Sequence, residues 1–168
     1  MTPVPFSQRK VDWFFVGFFI VNLFFITYIV DLEQLVIADP HHFEYPLWPL
    51  RPLVDMVHWW GDHFDPLQNA RPVWWRATIW IDALLFGPFY AVAIWAFVTG
   101  KEFIRKICFL WAPVMMTNVT IIMFEELIGP HQTPATFIVT AANAPWFIVP
   151  ILLVWRCWPE RPMFSRPA

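Results

Sequence analysis

Asp82 is a carboxyl group set inside a stretch of chain otherwise made for lipid. It stands about eight residues into the apolar run 73–98, with Thr78 one helical turn earlier on the same face. An acid in so apolar a setting is able to stay protonated near neutrality and to donate a proton. The plainer alternative is a buried acid that keeps two helices in register through a hydrogen bond. On the run 104–124, Asn118 shares a face with Glu125, two turns on, which falls at the membrane boundary beside Glu126. Two adjacent acids at a helix end are usually solvated, but Glu125 is also placed to face inward. Thr136, Thr140 and Asn143 follow an i, i+4, i+7 stripe that Trp146 continues. Such a stripe serves either as glue between helices or as the wall of a pocket. Asp31 closes the run 11–30 with Thr27 one turn before it, and Asp65 sits in His63-Phe64-Asp65-Pro66.

If the apolar runs alternate in direction, Asn22, Asp82, Asn118 and Asn143 all lie about 10–14 Å inside one membrane face. An uncompensated amide or carboxylate in hydrocarbon is costly, so such residues face a bundle interior or a wet cavity. A shared polar layer therefore predicts a polar-lined pocket.

The elements that must position these residues are four apolar runs, at about 11–30, 73–98, 104–124 and 135–155. Each is about 20 residues or more, enough to cross a hydrocarbon layer of about 30 Å. The apolar share of 58% and charged share of 14% lie on the membrane side of soluble averages. The chain reads as one all-α integral membrane domain, residues 1–168, with four transmembrane helices in an antiparallel bundle. Arg9 and Lys10 precede a full-length run, so the first helix is expected to stay rather than be cleaved as a signal peptide. A net charge of −2 with no basic run argues against nucleic acid. Cys108 and Cys157 sit in apolar runs and read as packing residues. The five His lie outside the runs without metal-ligand spacing, and redox and phosphate motifs are missing, so neither a cofactor nor a metal is expected.

Arg9, Lys10, Lys101, Arg105, Lys106, Arg156, Arg161 and Arg166 fall on one side of this topology, and Arg51, Arg71 and Arg76 on the other, among most of the acids. The positive-inside rule then places both termini in the cytoplasm. The connection 31–72 is long for a bundle and rich in Pro and aromatics, so it reads as a folded lumenal cap on the membrane surface. Most of the twelve Trp suit interfacial belts. Gly87-Pro88, Pro145 and Pro150 should kink their helices and open gaps able to hold a ligand.

The order of these pieces resembles the EXPERA superfamily, whose members include a sterol isomerase (emopamil-binding protein) and the sigma-2 receptor. The resemblance rests on Ile26-Thr27-Tyr28-Ile29-Val30-Asp31-Leu32, on Trp59 followed by Phe64-Asp65-Pro66-Leu67, and on Asp82 with Pro88 six residues later. Phe124-Glu125-Glu126 and Asn143-Ala144-Pro145-Trp146 complete it. It implies a multi-pass bundle in the endoplasmic reticulum membrane with a pocket opening sideways to lipid. Asp31 and Asp65 resemble the acids associated with ligand binding in the receptor. Asn143 and Trp146 resemble the isomerase pair whose Trp is implicated in stabilising a cationic sterol intermediate, and Glu125 resembles an acid after the third span of both. The isomerase's His and Glu, four residues apart in its first span, have no counterpart in Asn22-Leu23-Phe24-Phe25-Ile26-Thr27. The expected function is a cofactor-free isomerase or cyclase acting on a sterol- or terpenoid-like substrate, with Asp31, Asp82 and Glu125 in proton transfer. Asp65, Thr78, Asn118, Thr140, Asn143 and Trp146 would line the substrate. The alternative is a sterol- or lipid-binding regulator without turnover. The expected partners are a hydrophobic small molecule and the bilayer, with a homodimer left open.

Overall fold

A computed structural model of the chain describes residues 2–166. The four apolar runs form the helices α1 (Lys10–Val36), α4 (Val73–Thr99), α5 (Ile104–Ile128) and α6 (Thr136–Cys157), each long and apolar enough to cross a membrane. Between α1 and α4 lie α2 (Arg51–His63) and the single-turn helix α3 (Pro66–Ala70). The two-residue strands β1 (Thr2–Pro3) and β2 (Ser165–Arg166) pair antiparallel, Thr2 opposite Arg166. They bring the two ends of the described chain together.

Two helices outrun the limits expected from hydropathy. Helix α1 continues past Asp31 to Val36, and α5 continues past Phe124 to Ile128. Hydropathy ends a span at its first acids, but here Asp31, Glu33 and Glu126 are buried, so the helix carries them inside the protein instead of ending at water. Interruptions of regular α-helix fall near Gly87-Pro88 and Pro145, whereas Pro150, also expected to kink α6, lies inside the unbroken helix Pro145–Cys157. In α4 a π-helical turn, Asp82–Phe86, leads into Gly87-Pro88. Pro88 has no N–H to give the carbonyl one turn back, and a wider turn is one way to absorb that loss. A longer π-helical stretch, Asn22–Asp31, lies in α1 and packs against the one in α4. In α6 regular helix breaks at Ala144, between Thr136–Asn143 and Pro145–Cys157.

Lipid supplies no hydrophobic drive between spans, so close packing must hold them together. Phe19, fully buried, makes ring contacts with Phe89, Tyr90, Phe97 and Trp111. Ala93 and Ala96 on α4 are also fully buried, and their small side chains let α1 come close. This aromatic core occupies the half of the bundle nearest the termini. There Arg9 donates to Asp12 at 2.7 Å, Arg156 donates to Asp12 at 3.0 Å, and Arg9 also donates to the Val98 carbonyl. Arg9 and Arg156, read from the sequence as loop charges, thus form an ion cluster around a fully buried acid.

The opposite end is closed by α2 and α3. Helix α2 buries Val54, Val57 and Gly61 and exposes Arg51, Asp55 and Asp62. A buried network ties this cap to α1. The Arg71 guanidinium donates to both Glu33 oxygens at 3.0 and 2.9 Å and to the Ile37 carbonyl, and His58 meets Glu33 at 2.7 Å. Arg71 adopts φ 46°, a left-handed conformation that strains a non-glycine residue, and its bonds to Glu33 hold it there. The expected cap is therefore an ordered roof.

Candidate functional site

Under that roof lies a cavity of about 310 Å³, within the range of small-molecule sites. All six helices and the turn before α3 build it. Helix α4 contributes Trp75, Thr78, Ile79 and Asp82, an i, i+3, i+4, i+7 face. Met115, Asn118, Val119, Ile122 and Glu126 come from α5 on the same rule, and Ala142, Asn143 and Trp146 from α6. The π-helical part of α1 and its end supply Phe25, Ile26, Val30, Asp31 and Gln34. The roof is Met56, Val57 and Trp60 of α2, with Asp65 and Gln68 beside them.

The carboxyl groups are arranged in two places. Asp31 and Asp82 meet side chain to side chain, and the Thr27 hydroxyl donates to Asp82 Oδ1. Gly87 makes this approach feasible. A Cβ there would lie 2.9 Å from Thr27 Cγ2 and 2.9 Å from the Tyr28 hydroxyl, so any larger residue would force the Thr27 and Tyr28 side chains, or α1 with them, to shift. On the other pair of spans, Glu126 is 1% exposed and receives a hydrogen bond from Asn143 Nδ2 at 3.4 Å. Asn143 also donates to the Val139 carbonyl at 3.0 Å, one turn back, just before the helix breaks. Asp65 caps α3 by accepting from the Gln68 N–H, and burial pushes its carboxyl above the usual carboxylate range. The charges of Asp65 and Glu126 act on each other.

Trp146 forms part of the wall between α1 and α6. Its indole N–H donates to Asn22 Oδ1 at 2.8 Å, and Asn22 in turn donates to the Phe18 carbonyl. Asn22 therefore braces a wall residue and does not line the cavity itself. Ile26 and Trp146 also face an apolar groove on the outer surface between α1 and α6. Trp75 is fixed by donating to Gln34 Oε1 at 2.6 Å.

Of the residues singled out from the sequence, Asp31, Asp65, Thr78, Asp82, Asn118, Asn143 and Trp146 come together at this cavity. Besides Asn22, two stand elsewhere. Thr140 is exposed on the outer side of α6. Glu125 turns away to accept from the His131 backbone N–H at 3.1 Å and to meet its ring at 2.6 Å. The inward acid at the end of α5 is its neighbour Glu126. The helical phase of Met115, Asn118 and Ile122 continues four residues on to Glu126, so the signal was present in the sequence. Gln34, Trp60 and Gln68 were missed because their positions depend on how the cap folds back. Among the described residues, no group of three His, Cys, Asp or Glu could hold a metal ion.

A bundle of four membrane-spanning helices with a roofed, acid-bearing cavity near one end defines a class of membrane-embedded proteins with an internal pocket. The chain belongs to the EXPERA (EXPanded EBP) superfamily, whose sequence profile matches residues 52–157. It is 27% identical to sigma intracellular receptor 2 of Xenopus tropicalis, over 87% of this chain and 86% of the relative. The protein of the same name from Homo sapiens is 23% identical, over 89% and 88% of the two chains, and that from Macaca fascicularis is also 23% identical, over 90% and 89%.

Proposed function

We propose that the protein admits a hydrophobic sterol- or terpenoid-like molecule and isomerises or cyclises it by proton transfer, without a cofactor. The observation that carries this reading is the Asp31–Asp82 contact in the wall of a mostly apolar cavity. Two touching carboxyl groups cannot both ionise cheaply, and such a pair shares a proton that it can deliver. The Thr27 hydroxyl fixes the orientation of Asp82. A proton delivered to a carbon–carbon double bond leaves a carbocation, and the face of Trp146 is available to stabilise it. Thr78, Asn118 and Asn143 orient the substrate's polar group, and Asp65 holds the roof end of the site. The ligand enters from lipid through the groove between α1 and α6. The protein resides in the endoplasmic reticulum membrane with both termini in the cytoplasm and the cap in the lumen.

The test is product analysis by mass spectrometry after incubating purified protein with candidate sterols and terpenoids in D2O. Turnover through a protonated intermediate places deuterium on carbon in the product. Full recovery of every candidate without deuterium would count against catalysis. A second reading is binding without turnover, favoured by relatives named as receptors and by the lack of the isomerase His and Glu in the first span. In that case the carboxyl groups would hold a hydrophobic amine. The amine would raise the melting temperature of the protein, and no candidate would be converted.

A further inference from the structure

Glu126 is buried at the end of α5 in the wall of the cavity. Among the described residues, no Lys, Arg or His lines that cavity, and neither Glu126 nor Asp65 forms an ion pair. A carboxyl buried without a cation lowers stability, so its presence in a membrane-spanning helix points to a chemical task. Its neighbour on the same helix, Glu125, is satisfied outside the cavity by His131. Glu126 is instead held by Asn143 of α6, whose amide donates to Oε2 at 3.4 Å. The Asp31–Asp82 pair belongs to α1 and α4. The site thus has two separate carboxyl stations on different pairs of helices.

We propose that Glu126 is the proton acceptor of the reaction, working opposite the Asp31–Asp82 pair as donor; this rests on the acid–base reading above. Isomerisation needs both functions at separate carbons. The pair adds a proton to one alkene carbon, and the neighbouring carbon becomes cationic. Glu126 then removes a proton from a carbon adjacent to the cation, and that C–H electron pair forms the new double bond. The substrate gains one proton and loses one, nothing is oxidised or reduced, and exchange with water returns the proton from Glu126 to the pair.

The experiment compares wild type, Glu126→Gln, Glu126→Asp and Glu125→Gln in lipid nanodiscs. It measures turnover in D2O of the alkene that wild type converts, and the melting shift induced by N,N-dimethyldodecylamine. Glu126→Gln is expected to lose turnover about a hundredfold or more while keeping the amine-induced shift. Its residual flux should end in water capture, giving a deuterated alcohol in place of the isomerised alkene. Glu126→Asp should recover part of the turnover, and Glu125→Gln should match wild type. Turnover within twofold of wild type in Glu126→Gln would overturn the assignment. Loss of the amine shift together with turnover would also overturn it, by making Glu126 a structural residue. If wild type converts no candidate yet shows the amine shift, the acid–base reading itself fails and the acceptor role falls with it.

Discussion

The bond between the Thr27 hydroxyl and Asp82 joins residues 55 apart in sequence, and it shows what a residue pattern can and cannot reveal. Depth along each span was legible: an acid or amide part-way into an apolar run must face inward, and Asp82, Asn118 and Asn143 do. Partnership was not legible, because which polar groups meet depends on helix rotation and on the cap. The same limit hid Glu126, whose double-acid context looked solvated while its helical phase pointed inward. At this scale we predict that Asp31→Asn and Asp82→Asn lose function without losing the fold. The amide keeps size and most hydrogen bonding but cannot deliver the proton, so turnover should fall about a hundredfold or more while the melting temperature changes little. Variants that melt like wild type and keep full activity and binding would remove the chemical role of these acids. Asp65 gives a pH test. Burial raises its carboxyl above the value it has when unfolded, so the folded state binds its proton more tightly. Its favourable contribution is therefore fully present in acid and is lost as pH rises through its folded value. Asp65→Asn removes that dependence and retains an acceptor for the α3 cap. In thermal melts from pH 4 to pH 8 the variant should gain stability relative to wild type as pH rises, and a constant difference across the range would refute the assignment.

At the scale of elements, hydropathy located all four helices but misplaced two ends, because it treats an acid as a boundary even where another helix receives it. It also gave no sign of the π-helical stretches. Gly87-Pro88 announced a distortion, but that the wide turn of α4 would pack against a matching stretch of α1 is a tertiary fact no local pattern carries. The role of Gly87 is clear only from that packing, since it is the point where α1 crosses closely enough for Thr27 to reach Asp82. We predict that Gly87→Ala forces the two helices apart, at an overpacking cost of about 1–3 kcal/mol. The added methyl group would weaken the Thr27–Asp82 bond, so turnover or ligand affinity should fall together with the melting temperature. An alanine variant equal to wild type in both would mean that the close approach is not required.

Across the whole molecule, the bundle keeps its buried ion pairs at the two ends and its cavity near one of them. Both ends of the described chain and the turn between α4 and α5 gather at one end, where Arg9 bonds to the Val98 carbonyl and Phe164 N–H donates to Glu102. The cap and the α5–α6 connection meet at the other, where the Thr133 hydroxyl donates to the Phe64 carbonyl. The lysine and arginine bias follows this division, and it supports the proposal that the cap faces the lumen. We predict that a cysteine replacing the exposed His42 reacts with an impermeant maleimide only after sealed microsomes are opened. Cys108 and Cys157 are buried and should contribute little background. Labelling from the cytoplasmic side of intact vesicles would reverse the topology. The ion cluster at the far end permits a test of how independent the two ends are. Asp12 and Asp31 are 19 residues apart on one helix, about 28 Å at the α-helical rise, and sites that far apart usually add without coupling. Asp12→Asn leaves Arg9 and Arg156 without a counter-charge in a buried setting, where breaking an ion pair costs on the order of 3–5 kcal/mol. The variant should melt well below wild type, yet at a temperature where it remains folded its turnover per folded molecule should be unchanged. Combined with Asp82→Asn, the two effects should add in the melting data, with the loss of turnover set by Asp82 alone. A change in substrate handling by Asp12→Asn at full folding would show instead that the clasp at the termini reaches the cavity through α1.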